Sequence, residues 1–287
     1  DGKVEKYKCR LVAQGFWQVE GVHYTEKYSP TPSTASIRMV LAMAAAKDGE
    51  LRHFDAEQAF FKPDIDKEMN IEIPEEFQEF ANELGQKFRL KDMGDTGYYM
   101  GCHTTRNRKA RELKFDQHLY VESMVRRFDV NKTTKIPAAS GVPTLSKADE
   151  PRNPEEKEEM RKFPYREAVG ALMWTATMTR PDIACAVRAV ARFCENPGPA
   201  HKKVVMKIFQ YLLHTKEWGI TYGGQGCGLC MEAYTDSDFR ACPDTRRSVS
   251  GSVLMLAKGA ISWHSRMQEV TASGTSEAEY VALSEVV

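Results

Sequence analysis

The sequence has no uninterrupted apolar run approaching the ~20 residues that cross a bilayer. Residues 1–10 are charged where a secretion signal needs an apolar stretch. Both absences lead us to expect an intracellular protein, cytoplasmic or nuclear, with no membrane partner. Cysteine is scarce: the seven are odd in number and follow no repeating spacing, which excludes a disulfide framework and fits reduced thiols. Net charge is missing as well, with 40 Lys and Arg against 40 Asp and Glu, so global charge announces no polyanionic partner. No internal repeat is visible.

What is present is the balance of a folded chain: 42% hydrophobic and 28% charged residues, over a length of 287 that suggests two domains of ordinary size. The charge is segregated. Residues 48–83 hold twelve acids against three bases, and residues 84–136 hold twelve bases against six acids. A solvated acidic face beside a solvated basic face explains such a pattern. A basic surface tracking a phosphate backbone is the sharper reading.

Periodicity and punctuation predict strands at 6–16 and 71–73, a helix at 36–47, and a strand entering a turn or helix at 51–61. A hairpin follows, 97–105 and 112–115 around the basic turn 106–111, and then a helix at 118–127. Residues 135–164, rich in Pro, Ser, Lys and Glu and without periodicity, read as a linker. Helices are predicted at 165–178, at 181–194 with Thr179 as cap and Pro181 in the first turn, and at 200–216. Three strands at 228–238, 248–257 and 260–270 precede a helix from 275.

Some residues invite chemistry on local grounds. Cys227 and Cys230 have the spacing of paired metal ligands, but no second Cys/His pair follows at zinc-finger distance, which favours reduced strand thiols. Arg246 and Arg247 sit in a turn beside Asp244, either solvated or set against a duplex phosphate. Asp55, taken alone, is an acid in an acidic stretch.

Taken together, three sets of residues resemble one family. YKCRLVAQGFWQ (7–18), YTEKYSPTPSTASIRMVLAMAA (24–45) and FDAEQAFFKPDIDKEMNIEIPEEF (54–77) are similar to the fingers and first palm strand of copia-type retrotransposon reverse transcriptases. YREAVGALMWTATMTRPDIACAVRAVARFCENP (165–197) and HKKVVMKIFQYLLHTKEWGITY (201–222) resemble the segment that joins polymerase to RNase H in those polyproteins. YTDSDFRACPDTRRSVSGSVLML (234–256) and ISWHSRMQEVTASGTSEAEYVAL (261–283) resemble their RNase H.

The resemblance implies a parent activity of RNA-templated DNA synthesis coupled to degradation of the RNA strand of the hybrid. Asp55 then matches the first metal-binding aspartate of the polymerase, Phe60 the aromatic ring that excludes a 2′-hydroxyl, and Lys8 and Arg10 the fingers residues nearest the triphosphate. Asp236 and Glu279 match the first and second carboxylates of RNase H, with Arg246 and Arg247 facing a duplex phosphate. Mg²⁺ is the implied cofactor, with Asp55, Asp236 and Glu279 as its ligands, because phosphoryl transfer needs divalent ions held by carboxylates.

Much of that machinery is missing. The sequence contains no Asp-Asp dipeptide, so the family's Tyr-x-Asp-Asp motif is absent, and residues 79–83 pass straight from the first palm portion to the region beyond it. We expect an internal deletion near 80–84. Eight residues follow Glu279, too few for the strand carrying a third RNase H carboxylate. The expected product is a catalytically inactive fragment, holding Mg²⁺ weakly or not at all and binding RNA–DNA hybrid or other nucleic acid weakly and in a salt-dependent way. The alternative is a non-catalytic nucleic-acid-binding or interaction protein derived from it. The expected fold is α+β or α/β: a truncated fingers-palm remnant (1–134), a linker (135–164), a helical connection (165–222) and a truncated RNase H-like mixed sheet (223–287). Two geometric expectations follow. The Asp55 strand, deprived of its hairpin, should be an unpaired edge. Asp236 and Asp238 share a strand face, and Glu279 should turn toward the sheet and share one Mg²⁺ with Asp236, leaving Asp238 and Glu277 nearer solvent.

Overall fold

The computed structural model describes residues 32–57, 89–95, 97–136 and 145–285. The strands expected at 6–16 and 71–73, together with Lys8, Arg10 and Phe60, lie outside the described residues. The chain divides into two units, 1–33 and Thr34–Val287, and almost all described residues belong to the second.

An alanine- and methionine-rich stretch with few helix-breaking residues forms α1 (Thr34–Lys47), which buries Leu41, Ala42 and Ala45. Strand β1 (Arg52–Glu57) follows and pairs antiparallel with β2 (Arg89–Asp95), setting Asp55 opposite Lys91. This corrects the expected unpaired strand. Backbone donors and acceptors require partners, and residues from the basic stretch supply them.

Strands β4 (Cys102–Asn107) and β5 (Glu112–Asp116) form the expected hairpin around the basic turn, but the stretch 97–105 is not one strand: it folds back on itself, so that β3 (Tyr98–Tyr99) pairs with β4 and makes a meander. A strand that the sequence did not announce, β6 (Gly219–Gly223), adds to β5 and completes a four-stranded sheet. Alternation along β5 buries Leu113 and Phe115, and β6 buries Ile220 and Tyr222 on the same layer.

Helix α2 (His118–Arg127) has the predicted limits. The stretch read as a linker is folded over its described second half, with a 3₁₀ turn at Lys147–Asp149 and α3 (Pro154–Arg161) capped by the Asn153 side chain on the Glu156 N–H. Its few apolar residues decide the outcome: Leu145 and Met160 are buried, anchoring a polar segment by isolated contacts that show no periodicity. Helices α4 (Tyr165–Met178), α5 (Ala184–Ala191, after a 3₁₀ turn at Pro181–Ile183) and α6 (Pro199–His214) follow. Thr179 does not cap the turn at Pro181. It ends α4 and donates to the buried Gln117 side chain.

Strands β7 (Met231–Asp238), β8 (Val249–Leu256) and β9 (Gly259–Met267) make a three-stranded sheet in that order, with β7 at one edge, and α7 (Thr275–Ser284) lies against it. Every strand pair among the described residues is antiparallel, so the architecture is mixed α and β with helices and sheets segregated. One core cluster is helical, joining α2 and α4–α6 around Leu172, Ile208, Phe209 and Leu212. The other lies where α1 meets both larger sheets, around Leu113, Phe115, Tyr222 and Ile261. None of the described helices is long and apolar enough to cross a membrane.

Candidate functional site

The described part of the acidic stretch meets the basic turn directly. Asp48 accepts from Arg106 at 2.9 Å and Arg108 at 3.2 Å, and Glu50 from Arg108 at 2.5 Å. These guanidinium contacts hold the Asp48 carboxyl below its ordinary range. Opposite charges that looked like two solvated faces therefore neutralise each other in part at this junction.

In the β7–β9 sheet, strand alternation separates Asp236 and Asp238 from Thr235 and Ser237. Ser237 sits opposite Ser250 and Thr235 opposite Ser252, and Ser250 and Ser252 are buried. Helix α7 covers that serine face. The buried Gln268 amide donates both to Ser250 Oγ and to the Ala278 carbonyl in α7, at 3.0 and 2.8 Å, and Glu285 at the end of the helix reaches His264, which is opposite Ser252. Asp236, opposite Gly251, lies exposed on the other face.

Glu279 is exposed too, because Ala278 and Ala282, one helical turn apart, fill the buried side of α7. The structure thus puts Asp236 and Glu279 on opposite sides of the sheet, against the expected shared position. The cause is the small-residue contact of α7 with the serine face, which leaves no room for a carboxylate between helix and sheet. Asp238 and Glu277 are exposed as expected. Glu277 accepts from the Ser273 hydroxyl and backbone N–H, which hold its carboxyl below the ordinary range. Exposed carboxylates on opposite faces do not fit a common Mg²⁺ ion.

Arg246 and Arg247 occupy a tight exposed turn. The Arg246 N–H donates to the Cys242 carbonyl, the Cys242 N–H donates to the Arg247 carbonyl, and Arg246 takes a left-handed φ of 57°. Asp244 is engaged by Arg192 at 3.0 Å and by the Lys147 N–H. Cys227 and Cys230 are free thiols, half-buried and exposed respectively.

Sequence reasoning passed over one group. His103, Asp116 and His118 bring three ligand-type atoms within 4.8 Å of one another. Strand register sets His103 across from Asp116, and His118 opens α2 two residues later. The Asp116 carboxylate accepts from the His118 ring at 2.5 Å and meets Lys114 at 3.1 Å. Burial raises the Asp116 pKa, but the His118 ring and backbone together with Lys114 outweigh it and hold the group below its ordinary value.

Comparison with known proteins sets these elements in a family. A family model described as reverse transcriptase (RNA-dependent DNA polymerase) matches residues 1–79. The chain is 31% identical over 365 aligned positions to the retrovirus-related Pol polyprotein from transposon TNT 1-94 of Nicotiana tabacum, covering 99% of this chain and 27% of that protein. With the polyprotein from transposon RE2 of Arabidopsis thaliana it shares 24% identity over 98% of this chain and 24% of the relative. With secreted RxLR effector protein 161 of Plasmopara viticola it shares 36% identity over 44% of this chain and 88% of that protein. No solved structure matches the chain. The chain belongs to the copia-type retrotransposon Pol polyproteins. It spans about a quarter of the length of the transposon relatives it matches.

Proposed function

We propose that this reverse-transcriptase-like Pol fragment neither extends primers nor cleaves hybrids. The observation that carries the reading is the absence of any Asp-Asp dipeptide from the sequence. The polymerase reaction needs carboxylates that hold two ions at the reacting phosphate, and Asp55 alone cannot do so. The alignment with the tobacco polyprotein supports a loss within the chain. It runs over 365 positions for a chain of 287 residues, so at least 78 positions (365 − 287) hold no residue of this protein. For the hydrolytic half, support comes from Asp236 and Glu279 lying on opposite faces of the sheet. Any Mg²⁺ at Asp55, Asp236 or Glu279 is held weakly.

A primed RNA template with Mg²⁺ and deoxynucleotides tests the first half, and a labelled RNA–DNA hybrid tests the second. No product above that of Asp55→Ala or Asp236→Asn protein is expected. Incorporation lost on Asp55→Ala, or cleavage lost on Asp236→Asn, overturns the proposal.

A second reading, a non-catalytic nucleic-acid-binding or interaction protein derived from the polyprotein, has its own support. The Plasmopara viticola relative, 88% of which is covered by this chain, is named as a secreted effector. Hybrid binding without turnover favours this reading.

A further inference from the structure

None of His103, Asp116 and His118 is among the residues that the family resemblance singles out. We propose that this group binds a divalent transition-metal ion of the zinc class.

Convergence is the first ground. Each residue offers one ligand atom, and all three lie within 4.8 Å of one another. A tetrahedral zinc ion with bonds of about 2.0–2.1 Å has ligand atoms about 3.3 Å apart, so small side-chain rotations close the set. The backbone that carries the ligands is tied down. His103 and Asp116 are paired residues of the β4–β5 ladder, His118 is the first residue of α2, and Cys102 and Phe115 beside them are in the core.

Ligand chemistry is the second. Two imidazoles and one carboxylate, with a fourth position left to water, suit zinc and its neighbours, whereas Mg²⁺ and Ca²⁺ prefer oxygen alone. Asp116 is 1% exposed, and a carboxylate so buried demands a cationic or hydrogen-bonding partner nearby. His103 is oriented from behind: Thr105 Oγ1 lies 3.2 Å from Nδ1, which leaves Nε2 as its ligand atom. The two imidazole rings stand edge to face with centroids 5.2 Å apart, so neither blocks the other.

Three features oppose a cation and set the strength of the site. The hydrogen bond between His118 Nδ1 and Asp116 must give way to the ion. Lys114 occupies one Asp116 oxygen at 3.1 Å, and the start of α2 carries a positive partial charge. Lys114 is one-third exposed and can turn into water when the ion enters. The site is therefore weak in the native chain, and removing the Lys114 charge tightens it.

The experiment uses the full chain with Cys185→Ser, Cys227→Ser and Cys230→Ser, which removes the exposed Cys185 and Cys230 thiols and the Cys227–Cys230 pair as competing ligands. Zn²⁺ is titrated calorimetrically, and Co²⁺ serves as a visible-absorption probe of ligand number and type. Expected are one ion per chain, a loss of affinity of at least about tenfold in His103→Ala and in His118→Ala, and a gain in Lys114→Met. The thermal midpoint of the parent protein should rise with Zn²⁺, and that of His103→Ala should not. The proposal is overturned if folded parent protein takes up no Zn²⁺, or if uptake and the thermal shift persist unchanged in His103→Ala. It is equally overturned if Lys114→Met weakens binding, the result for an ordinary Asp–Lys–His ion-pair cluster.

Discussion

The guanidinium of Arg38 lies 4.0 Å from the centre of the Trp263 ring, while the Trp263 indole N–H donates to the Ala176 carbonyl at 2.8 Å. Arg38 itself, 4% exposed, donates to the carbonyls of Thr177 and Met178 at the end of α4 and to that of Ile261 in β9. One cation thus ties α1 to the negative end of α4 and to the three-stranded sheet.

Replacing Arg38 by Ala should destabilise the protein by about 3 kcal/mol or more, because a desolvated cation–π contact disappears and buried carbonyls lose their donors. Arg38→Lys should recover little, since an ammonium cannot serve three carbonyls and a ring at once. Urea unfolding of the three proteins measures both effects.

Gly198 tests close packing. A Cβ at this position would meet the Asp149 carbonyl oxygen at 1.9 Å, so Gly198→Ala must push the 3₁₀ turn away from the start of α6. A loss of about 1–3 kcal/mol is expected. Gly170, in the exposed middle of α4, meets nothing within 4 Å, and Gly170→Ala should stabilise by about 0.5–1 kcal/mol. Opposite signs for the two substitutions in thermal unfolding check the packing.

Stability should fall on acidification through His201. The ring is fully buried and stacked on Phe193 at 3.9 Å. Its Nδ1 accepts the Gly198 N–H, and its Nε2 lies 3.3 Å from the Ser146 carbonyl, the arrangement of a neutral imidazole. Burial lowers its pKa, against the raising effect of the Ser146 carbonyl. Below the ordinary histidine value of about 6.5 the unfolded chain takes up a proton that the folded chain refuses, so this contribution is whole above that pH and lost below it. His201→Asn should flatten the slope of unfolding free energy against pH between about 6.5 and 5.

Hybrid binding should be weak and steeply salt-dependent. The exposed bases of the 106–111 turn include Arg108, which Asp48 and Glu50 already engage, so few cations remain for phosphates. A logarithmic salt slope of about −2 to −4 is expected in a fluorescence titration with an RNA–DNA hybrid. Tight binding indifferent to salt contradicts this.

Much of this architecture was legible beforehand. Helices α2 and α4 fall at their predicted limits because their apolar spacing and flanking residues agree, and the β4–β5 hairpin was marked by its polar turn. Strand β6 was not legible, since GITYG is five residues long with glycine at both ends, and its pairing partner lies far away in sequence. Leu145 and Met160 were hidden in a polar stretch for a similar reason. At the sites, side-chain type pointed to Asp236 and Glu279, but the face of β7 that receives α7 is decided by serines, which carry no hydrophobic signal. His103, Asp116 and His118 follow no ligand spacing along the chain. Cross-strand register about the 108–111 turn is the signal that could have found them.

The β5–β6 pairing has a consequence for biosynthesis. Its two strands are about a hundred residues apart, and closing a loop of that length costs roughly 4 kcal/mol of chain entropy before any contact compensates. At translation rates of about 5–20 residues per second, β5 leaves the ribosome on the order of ten seconds ahead of its partner. Leu113 and Phe115 spend that interval without Ile220 and Tyr222 beside them, so the nascent chain carries a sticky ribbon until the helices between the two strands have been made. Slowing the ribosome between residues 117 and 218 should lengthen that exposure and raise the fraction of chains captured by holdase chaperones.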